Sequence, residues 1–382
     1  MAERETSVSI NGGDWLINGR PTYSGRSWRG LRIEGLLLNS RMANGIFDDL
    51  NPITRALWAY PDTGEWDPNR NTQELIAALP TYRQCGLVAI GLNLQGASPF
   101  GYYRYDDASI DALLGRIRRS HPEATQETVW QGLFSTRSQP WETGAFNPDG
   151  TLRPEFLTRA AAVIEAADKL GMVVCLGLFY FGQDERLVDE AAVFSAVDSA
   201  CRWVLESGFT NVVVEIANEV DIPLYEHEVL TAPKVHTLIE RVRAIEHQGR
   251  RLLAGTSVSG RVAPTAEIVA ASDFVLLHGN HLDDPAEIVS RIANTRSLAT
   301  YRGQPLLFNE DDHFDFDRAE NNFFNALAGR AGWGYFDPGQ GAGGRAAFGD
   351  YVEGYQNPPI NWGINTNRKA AFFEALRAVT GN

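Results

Sequence analysis

Cysteine is scarce in this sequence, which contains only Cys85, Cys175 and Cys201 among its 382 residues. So few cysteines exclude the dense disulfide framework of small secreted domains, and their apolar or helical surroundings predict reduced core thiols. The sequence also lacks a run of 18 apolar residues, and its first residues lack the apolar segment typical of a signal peptide. We therefore expect no membrane span and a cytoplasmic location, with secretion open if a signal has been removed.

Basic residues are fewer than acidic ones: 34 Lys and Arg stand against 48 Asp and Glu, which gives a formal net charge of −14. Nucleic-acid phosphates and anionic membranes both attract clustered Lys and Arg. The charge therefore disfavours nucleic acids and membranes as partners. It fits a neutral substrate, or it serves solubility alone.

Apolar residues are plentiful, at 44% of the chain, and this composition is typical of a globular protein with a large core. Eight short apolar runs recur, most of them followed by a polar cluster and a helix-like segment. This alternation indicates a parallel sheet with crossover helices. The predicted strands are Ile33–Leu38, Leu87–Leu94, Met172–Phe181, Val212–Ala217, Arg251–Thr256, Phe274–Leu277, Pro305–Phe308 and Gly332–Phe336.

Amphipathic segments between these strands predict the helices. They are Thr72–Cys85, Pro154–Leu170, Leu187–Ser207, Pro233–Gln248, Pro285–Arg296, Arg318–Gly329 and Lys369–Val379. The predicted fold class is α/β, a (β/α)8 TIM barrel, and residues 1–382 are predicted to form a single domain.

Two additions to a minimal barrel are predicted. Residues 1–30 read as a short N-terminal hairpin that closes the bottom of the barrel, with Asn11-Gly12 and Asn18-Gly19 as turn signals. Residues 96–151 form a long insertion after strand two, which we interpret as a lid. Its aromatic side chains either line the site or form a small hydrophobic cluster. They are Tyr102, Tyr103, Tyr105, Trp130 and Trp141.

Active sites of such barrels lie at the C-terminal ends of the strands, so the polar and aromatic residues there are the candidates for function. The candidates are Asn39, Arg41, Asn93, Tyr180, Asn218, Glu219, His278, Asn280, Glu310, Trp333 and Tyr335. Glu215 lies four residues before Glu219 on the same strand face, so we expect it deeper in the barrel, with Arg32 as its partner.

The fourth strand and the residues after it end in Glu215-Ile-Ala-Asn218-Glu219, and a second glutamate, Glu310, follows strand seven. This pattern resembles the clan A glycoside hydrolases, such as the family 5 cellulases and mannanases, in which E-x-x-N-E ends strand four. The resemblance implies an O-glycosidase that retains anomeric configuration, with Glu219 as general acid/base and Glu310 as nucleophile. It further implies that Asn218 hydrogen-bonds the 2-hydroxyl of the sugar.

The same resemblance implies that His278 binds sugar and that Trp333 forms the floor of the sugar subsite. Asn39, Arg41, Asn93, Tyr180, Asn280 and Tyr335 are predicted to bind substrate as well. Double displacement requires two carboxyl groups about 5–5.5 Å apart, which strands four and seven can provide across the barrel mouth. No cofactor is expected.

Three positions depart from the family 5 pattern. Val220 stands where proline is usual, Asn280 where a tyrosine orients the nucleophile, and Asn93 where an arginine ends strand two. We therefore expect Arg41 or another group to restrain Glu310.

Two alternatives stay open. The first is a metal-dependent hydrolase, with Asp311, Asp312, His281 and His313 as possible ligands. We prefer to predict no metal, because this stretch lacks a glycine-containing calcium loop and no H-x-H follows strand one. The second alternative is a carbohydrate-binding barrel without catalysis.

Overall fold

The computed structural model describes residues 4–99, 141–339 and 353–382, together with residues 111, 114, 115, 117–119, 121–125, 139 and 351. Within these residues, eight parallel strands form one sheet. The strands are β1 (Asn39–Arg41), β2 (Ala89–Asn93), β3 (Val173–Phe179), β4 (Val212–Ala217), β5 (Ala254–Gly255), β6 (Val275–His278), β7 (Leu306–Asp311) and β8 (Gly332–Tyr335).

A helix follows each of these strands before the next begins. The helices are α1 (Pro68–Gln84), α2 (Pro154–Lys169), α3 (Glu190–Glu206), α4 (His236–Ala244), α5 (Ala266–Ala271), α6 (Pro285–Ser297), α7 (Asn322–Ala328) and α8 (Asn367–Thr380). Helices α1, α2 and α6 begin with proline, whose missing N–H costs nothing in the first turn. At α1 the Asp67 side chain also accepts the N–H groups of Asn69 and Arg70.

The sheet closes into a barrel. Its hydrogen-bonded order is β5-β4-β3-β2-β1-β8-β7-β6. The remaining gap lies between β5 and β6, where the N–H of Asp273 donates to the carbonyl of Ala254 at 2.9 Å. The predicted (β/α)8 barrel is confirmed.

The barrel interior is apolar towards the N-terminal ends of the strands and polar towards their C-terminal ends. The apolar part consists of Trp15, Leu37, Val88, Ala89, Val173, Cys175, Val213, Phe274, Leu276 and Leu307. Trp15 comes from the N-terminal hairpin (Val8–Asn11 and Asp14–Ile17), and its ring lies 5.0 Å from that of Phe274. The hairpin therefore closes the bottom of the barrel, as predicted.

Two predicted strand boundaries were wrong, and one helix was missed. The first ladder runs over Asn39–Arg41 rather than Ile33–Leu38, because a turn at Gly35 (φ +82°) occupies the earlier segment. In the fifth predicted strand, Arg251–Thr256, only Ala254–Gly255 pair with a neighbouring barrel strand. Arg250–Arg251 instead form a separate hairpin with Glu246–His247. Helix α5 was not predicted, since its six residues carry too little periodicity.

The predicted lid is only partly described. Tyr102, Tyr103, Tyr105 and Trp130 lie outside the described residues. Trp141 is buried in a hydrophobic cluster with Trp58, its ring 6.3 Å away, and with Phe47 and Trp66 nearby. This tryptophan therefore fixes the end of the insertion to the loop after β1.

No helix in the described part of the chain combines the length and the apolar character needed to cross a bilayer.

Candidate active site

Four charged side chains converge at the C-terminal end of the barrel. Nδ1 of His278 lies 2.9 Å from Oε1 of Glu219 and 3.7 Å from Oε2 of Glu310. Nε of Arg41 lies 2.7 Å from that same Glu310 oxygen. One carboxylate oxygen of each glutamate lies within 4.8 Å of the other. This spacing is closer to the roughly 5–5.5 Å of retaining glycosidases than to the roughly 6.5–9.5 Å of inverting ones.

Glu310 points into the barrel because β7 carries a bulge. Phe308 pairs with Trp333, and Asp311 pairs with Tyr335. Between these two pairs, β7 advances by three residues and β8 by two, so β7 contains one extra residue. An extra residue of this kind lets two successive side chains face the same side of a sheet. Asn309 and Glu310 both point inward, and Asp311 points outward towards Trp333.

Both oxygens of Glu310 are held by cationic or polar neighbours. Nδ2 of Asn280 donates to Oε1 at 2.6 Å, and the Arg41 guanidinium faces Oε2. The Arg41 N–H is not aligned with the oxygen, so this contact is an ion pair rather than a hydrogen bond. Arg41 therefore takes the restraining position that we expected for it, and Asn280 contacts Glu310 where family 5 has tyrosine.

The backbone of Glu219 is left-handed. Its φ of +49° is uncommon for a residue with a side chain and costs on the order of 1–3 kcal/mol. The strand ends two residues earlier, at Ala217, and the Glu219 N–H donates to Oγ of Ser257 at 3.0 Å. The turn at this residue directs the chain away from β4.

His278 is fully buried between the two glutamates. Burial alone would lower the pKa of His278. The negative charge of Glu310 and the charged hydrogen-bond acceptor Glu219 outweigh burial and raise this pKa above its ordinary value. The Nδ1 atom faces a carboxylate oxygen that can only accept, so the proton lies on Nδ1 when Glu219 is ionised.

The two glutamates differ in proton affinity. Burial raises the pKa of Glu310 above its ordinary value, despite Arg41 and His278, and the charge of Glu219 adds to the rise. Burial also acts to raise the pKa of Glu219, but the hydrogen bond and charge of His278 outweigh it and lower that pKa. In the unliganded site, a proton therefore favours Glu310 and His278 over Glu219.

The other predicted polar residues lie at two depths. Burial raises the pKa of the Tyr180 hydroxyl, and the charges of the nearby Glu310 and Glu219 add to the rise. Asn218 precedes Glu219 and is buried. Asn39 lies deeper, against Gly334 of β8. Asn93 accepts the Gln95 N–H at 2.8 Å and so organises the loop after β2.

Several buried polar atoms around the glutamates have no hydrogen-bond partner among the described residues. They are Asn39 Nδ2, Asn218 Oδ1, His278 Nε2, Asn280 Oδ1, Asn309 Oδ1 and Glu310 Oε2. Buried polar atoms are normally paired, and unpaired ones are costly. A ligand with several hydroxyl groups could satisfy this set.

Trp333 and Tyr335 do not face the site, which corrects two predictions. Trp333 is fully buried against Phe323 and Phe372 of the outer helices, at ring distances of 5.0 and 5.9 Å. Tyr335 stacks on Phe372 at 4.5 Å. Side chains alternate along a strand, so these two share the outer face.

Phe336, which the sequence analysis missed, follows on the inner face. Its ring centroid lies 5.9 Å from the Arg41 guanidinium carbon. The period-two alternation of the predicted strand Gly332–Phe336 was the signal that could have identified it.

The outward position of Trp333 has a measurable consequence. Trp333→Ala should lower the free energy of unfolding by about 3–5 kcal/mol, because it empties a core site and removes the Nε1–H donor of Asp311. Denaturant unfolding measures the loss. Trp203→Ala, on a partly exposed tryptophan of α3, is the control and should cost less. A stability equal to that of the wild type would contradict the core position of Trp333.

Two groups of side chains have ligand atoms close enough for a metal ion: Glu219 with His278 and Glu310, and Asp311 with Asp312 and His313. In the first group, the Arg41 guanidinium already faces Glu310 and would repel a cation. In the second group, both nitrogens of His313 face carboxylates, at 2.6 Å from Asp311 and 3.3 Å from Asp283.

The protonation of His313 disfavours a metal in the second group. Burial would lower its pKa, but the hydrogen bond and charge of Asp311 raise it to about 9. A protonated imidazole has no lone pair for a metal. Asp311 also accepts from Trp333 and Asn322, so its oxygens are engaged by the protein.

Glu215 lies inside the barrel, as expected, but its partner is not Arg32. Nδ2 of Asn309 donates to Oε1 of Glu215 at 3.3 Å. Arg32 lies at the surface, where it pairs with Asp14 and Glu34. The prediction failed because Arg32 precedes β1 and never enters the barrel.

Comparisons with known proteins bear on the fold. The sequence matches no protein-family model and no curated protein. The structure is similar to an endo-1,4-beta-mannanase from Eisenia fetida, at 11% identity over 99% of this chain and 96% of that one, with a TM-score of 0.51. A beta-mannanase from the blue mussel Mytilus edulis gives 10% identity over 99% and 97% of the two chains, with a TM-score of 0.49.

A glycoside hydrolase family 5 mannosidase from Rhizomucor miehei gives 9% identity over 98% of this chain and 97% of that one, with a TM-score of 0.47. Sequence identities this low are evidence for a shared fold alone. The chain has the (β/α)8-barrel fold found among clan A glycoside hydrolases.

Proposed function

We propose that this protein is a retaining glycoside hydrolase that acts on a neutral glycoside or oligosaccharide, with Glu219 as general acid/base and Glu310 as nucleophile. The observation that carries the proposal is the pair of carboxyl groups at the mouth of the barrel, Glu310 buried and Glu219 partly buried, with oxygens within 4.8 Å of each other. The fold adds support, because barrel enzymes place their chemistry at this end.

In the first step, an oxygen of Glu310 bonds to the anomeric carbon while the glycosidic C–O bond breaks. The electron pair of that bond leaves with the aglycone oxygen, which takes a proton from Glu219. Arg41 and Asn280 hold the two Glu310 oxygens and so fix the direction of attack.

Glu219 must be protonated before this step, although its pKa is lowered in the unliganded site. His278 can supply the proton, because its Nδ1 lies 2.9 Å from Oε1 of Glu219. The transfer leaves a neutral imidazole and a neutral carboxylic acid. Ionised Glu310 is then stabilised by Arg41 alone among the charged neighbours, which is the state that nucleophilic attack requires.

In the second step, Glu219 removes a proton from water as the water oxygen bonds to the anomeric carbon and the bond to Glu310 breaks. Two inversions restore the original configuration. Glu219 ends the cycle protonated and Glu310 ends it ionised.

The charges of the site favour a neutral sugar. Its cations Arg41 and His278 already face the two glutamates, so their positive charge is balanced within the site and is not offered to an acidic sugar. The unpaired amide and imidazole atoms of Asn218, Asn280 and His278 suit hydroxyl groups.

The test is a screen of nitrophenyl glycosides, with the anomer of the first product read by NMR. We expect retention, and a covalent adduct on Glu310 when a slow 2-fluoro glycoside is the probe. An inverted product would refute the double displacement. Loss of activity with a chelator would favour a metal-dependent hydrolase, and binding of sugar without turnover would favour a non-catalytic barrel.

A further inference from the structure

The segment after β5 is joined to the segment after β4 by side-chain hydroxyl groups. The hydroxyl of Thr256 donates to the Ala217 carbonyl at 2.8 Å, and Oγ of Ser259 donates to Asp221 at 2.6 Å. Between them, Oγ of Ser257 accepts the Glu219 N–H at 3.0 Å. We name Thr256, Ser257 and Ser259 the hydroxyl seam. Their side chains join the two segments beyond Gly255, where the backbone pairing of β5 with β4 ends.

Ser257 binds the turn at Glu219 twice. Its hydroxyl oxygen accepts the N–H of Glu219, and its carbonyl accepts the N–H of Val220 at 3.1 Å. Ser257 is fully buried, so no solvent competes for these two donors. Without the Ser257 acceptor, the N–H of Glu219 would be a buried donor with no partner, and such a donor costs free energy of folding.

Tyr225 holds the other side of the same peptide unit. Its hydroxyl donates to the carbonyl of Asn218 at 2.5 Å, and its ring packs edge-on against Phe181 at 6.1 Å. The carbonyl of Asn218 and the N–H of Glu219 belong to one planar peptide group. Two side chains therefore fix both polar atoms of the peptide that precedes the left-handed residue.

We propose that Ser257 and Tyr225 are positioning residues that hold Glu219 in its left-handed conformation and so aim its carboxyl group at the leaving oxygen. This inference rests on the proposed hydrolase function. A residue that relaxes from the left-handed to the extended region turns its side chain relative to the strand. Glu219 would then lose its alignment with Glu310 without any change in the residues that contact the sugar.

The experiment compares leaving groups, because proton donation matters only when the leaving group is poor. In Ser257→Ala, kcat/KM for an alkyl glycoside should fall about 10- to 100-fold, since misalignment of a catalytic group has this order of effect. For the dinitrophenyl glycoside of the same sugar, kcat/KM should stay close to wild type. This constant reports only steps up to the first bond cleavage, so later catalysis by Glu219 does not enter.

Ser259→Ala is the matched control, because it removes a hydroxyl of the same seam that bonds Asp221 instead of Glu219. It should leave the ratio of the two constants unchanged. Tyr225→Phe removes only the hydroxyl that holds Asn218, and it should shift the ratio in the same direction as Ser257→Ala. It provides the answer if Ser257→Ala does not fold.

An equal loss on both substrates, or no loss on either, would overturn the positioning role while the wild type remains a hydrolase. Absence of hydrolysis by the wild type would instead refute the proposed function itself. The two failures are therefore distinguishable in one set of assays.

Discussion

Glu310→Ala is expected to lower kcat by about 10⁴-fold or more on every glycoside, because removal of a covalent nucleophile leaves only binding and the remaining polar groups. The loss should not depend on the leaving group, since a better leaving group does not replace the missing bond to the anomeric carbon. Steady-state assays with a dinitrophenyl and an alkyl glycoside measure both cases.

Glu310→Gln is the control for shape, because the amide keeps the volume and can still contact Asn280 and Arg41. It should be as inactive as the alanine variant. Azide should restore turnover of Glu310→Ala through a single displacement and so give the opposite anomer of glycosyl azide. Recovery of activity by an activated leaving group alone would mean that Glu310 is the acid/base and that the roles are exchanged.

Exchange of roles is a substantive alternative because of the resting pKa order. Burial raises the pKa of Glu310, and His278 lowers that of Glu219, which is the reverse of what the first step needs. We attribute the order to the position of the His278 proton, which serves Glu219 in the unliganded site. Such an order depends on contacts between β4, β6 and β7, so no sequence pattern predicts it.

The strand count was the part of the architecture that the sequence could predict. Most barrel strands are short and apolar, and the runs Leu87–Leu94 and Val212–Ala217 contain the observed strands β2 and β4. Because Glu219 and Glu310 follow strands four and seven in that count, their placement at the same end of the barrel was predictable as well. Burial of parallel strands on both faces makes this signal strong.

The orientation of individual side chains was harder to predict. Regular alternation along Leu306–Asp311 would turn Glu310 outward with Phe308, and only the bulge in β7 brings it inside. A bulge arises from register with neighbouring strands, which one sequence does not reveal. By contrast, alternation does hold in β8, and it would have separated Trp333 and Tyr335 from Phe336.

The supports of Glu219 were beyond sequence reasoning for another reason. Ser257 and Tyr225 act through one peptide group, and neither belongs to a motif around Glu219. Serine and threonine after a strand usually indicate a turn. Here the left-handed backbone of Glu219 creates the need for these partners, and that conformation appears only in the structure.

Glu219→Ala is expected to lower kcat/KM for an alkyl glycoside by about 10²–10⁴-fold, the usual contribution of general acid catalysis. For a dinitrophenyl glycoside, kcat/KM should stay near wild type, because that leaving group departs without a proton. Its kcat should fall, since the covalent intermediate on Glu310 then lacks the base that activates water. A burst of released phenol equal to the enzyme concentration would report the accumulated intermediate.

Azide distinguishes the two glutamates in the same assay. It needs no base, so it should restore kcat of Glu219→Ala and yield a glycosyl azide of retained configuration, in contrast to the inverted product expected from Glu310→Ala. Glu219→Gln serves as the control that keeps a side chain opposite His278. Retained azide product from the Glu310 variant, together with inverted product from the Glu219 variant, would contradict our assignment. The configuration of one product thus decides which glutamate forms the covalent bond, which the resting pKa order cannot.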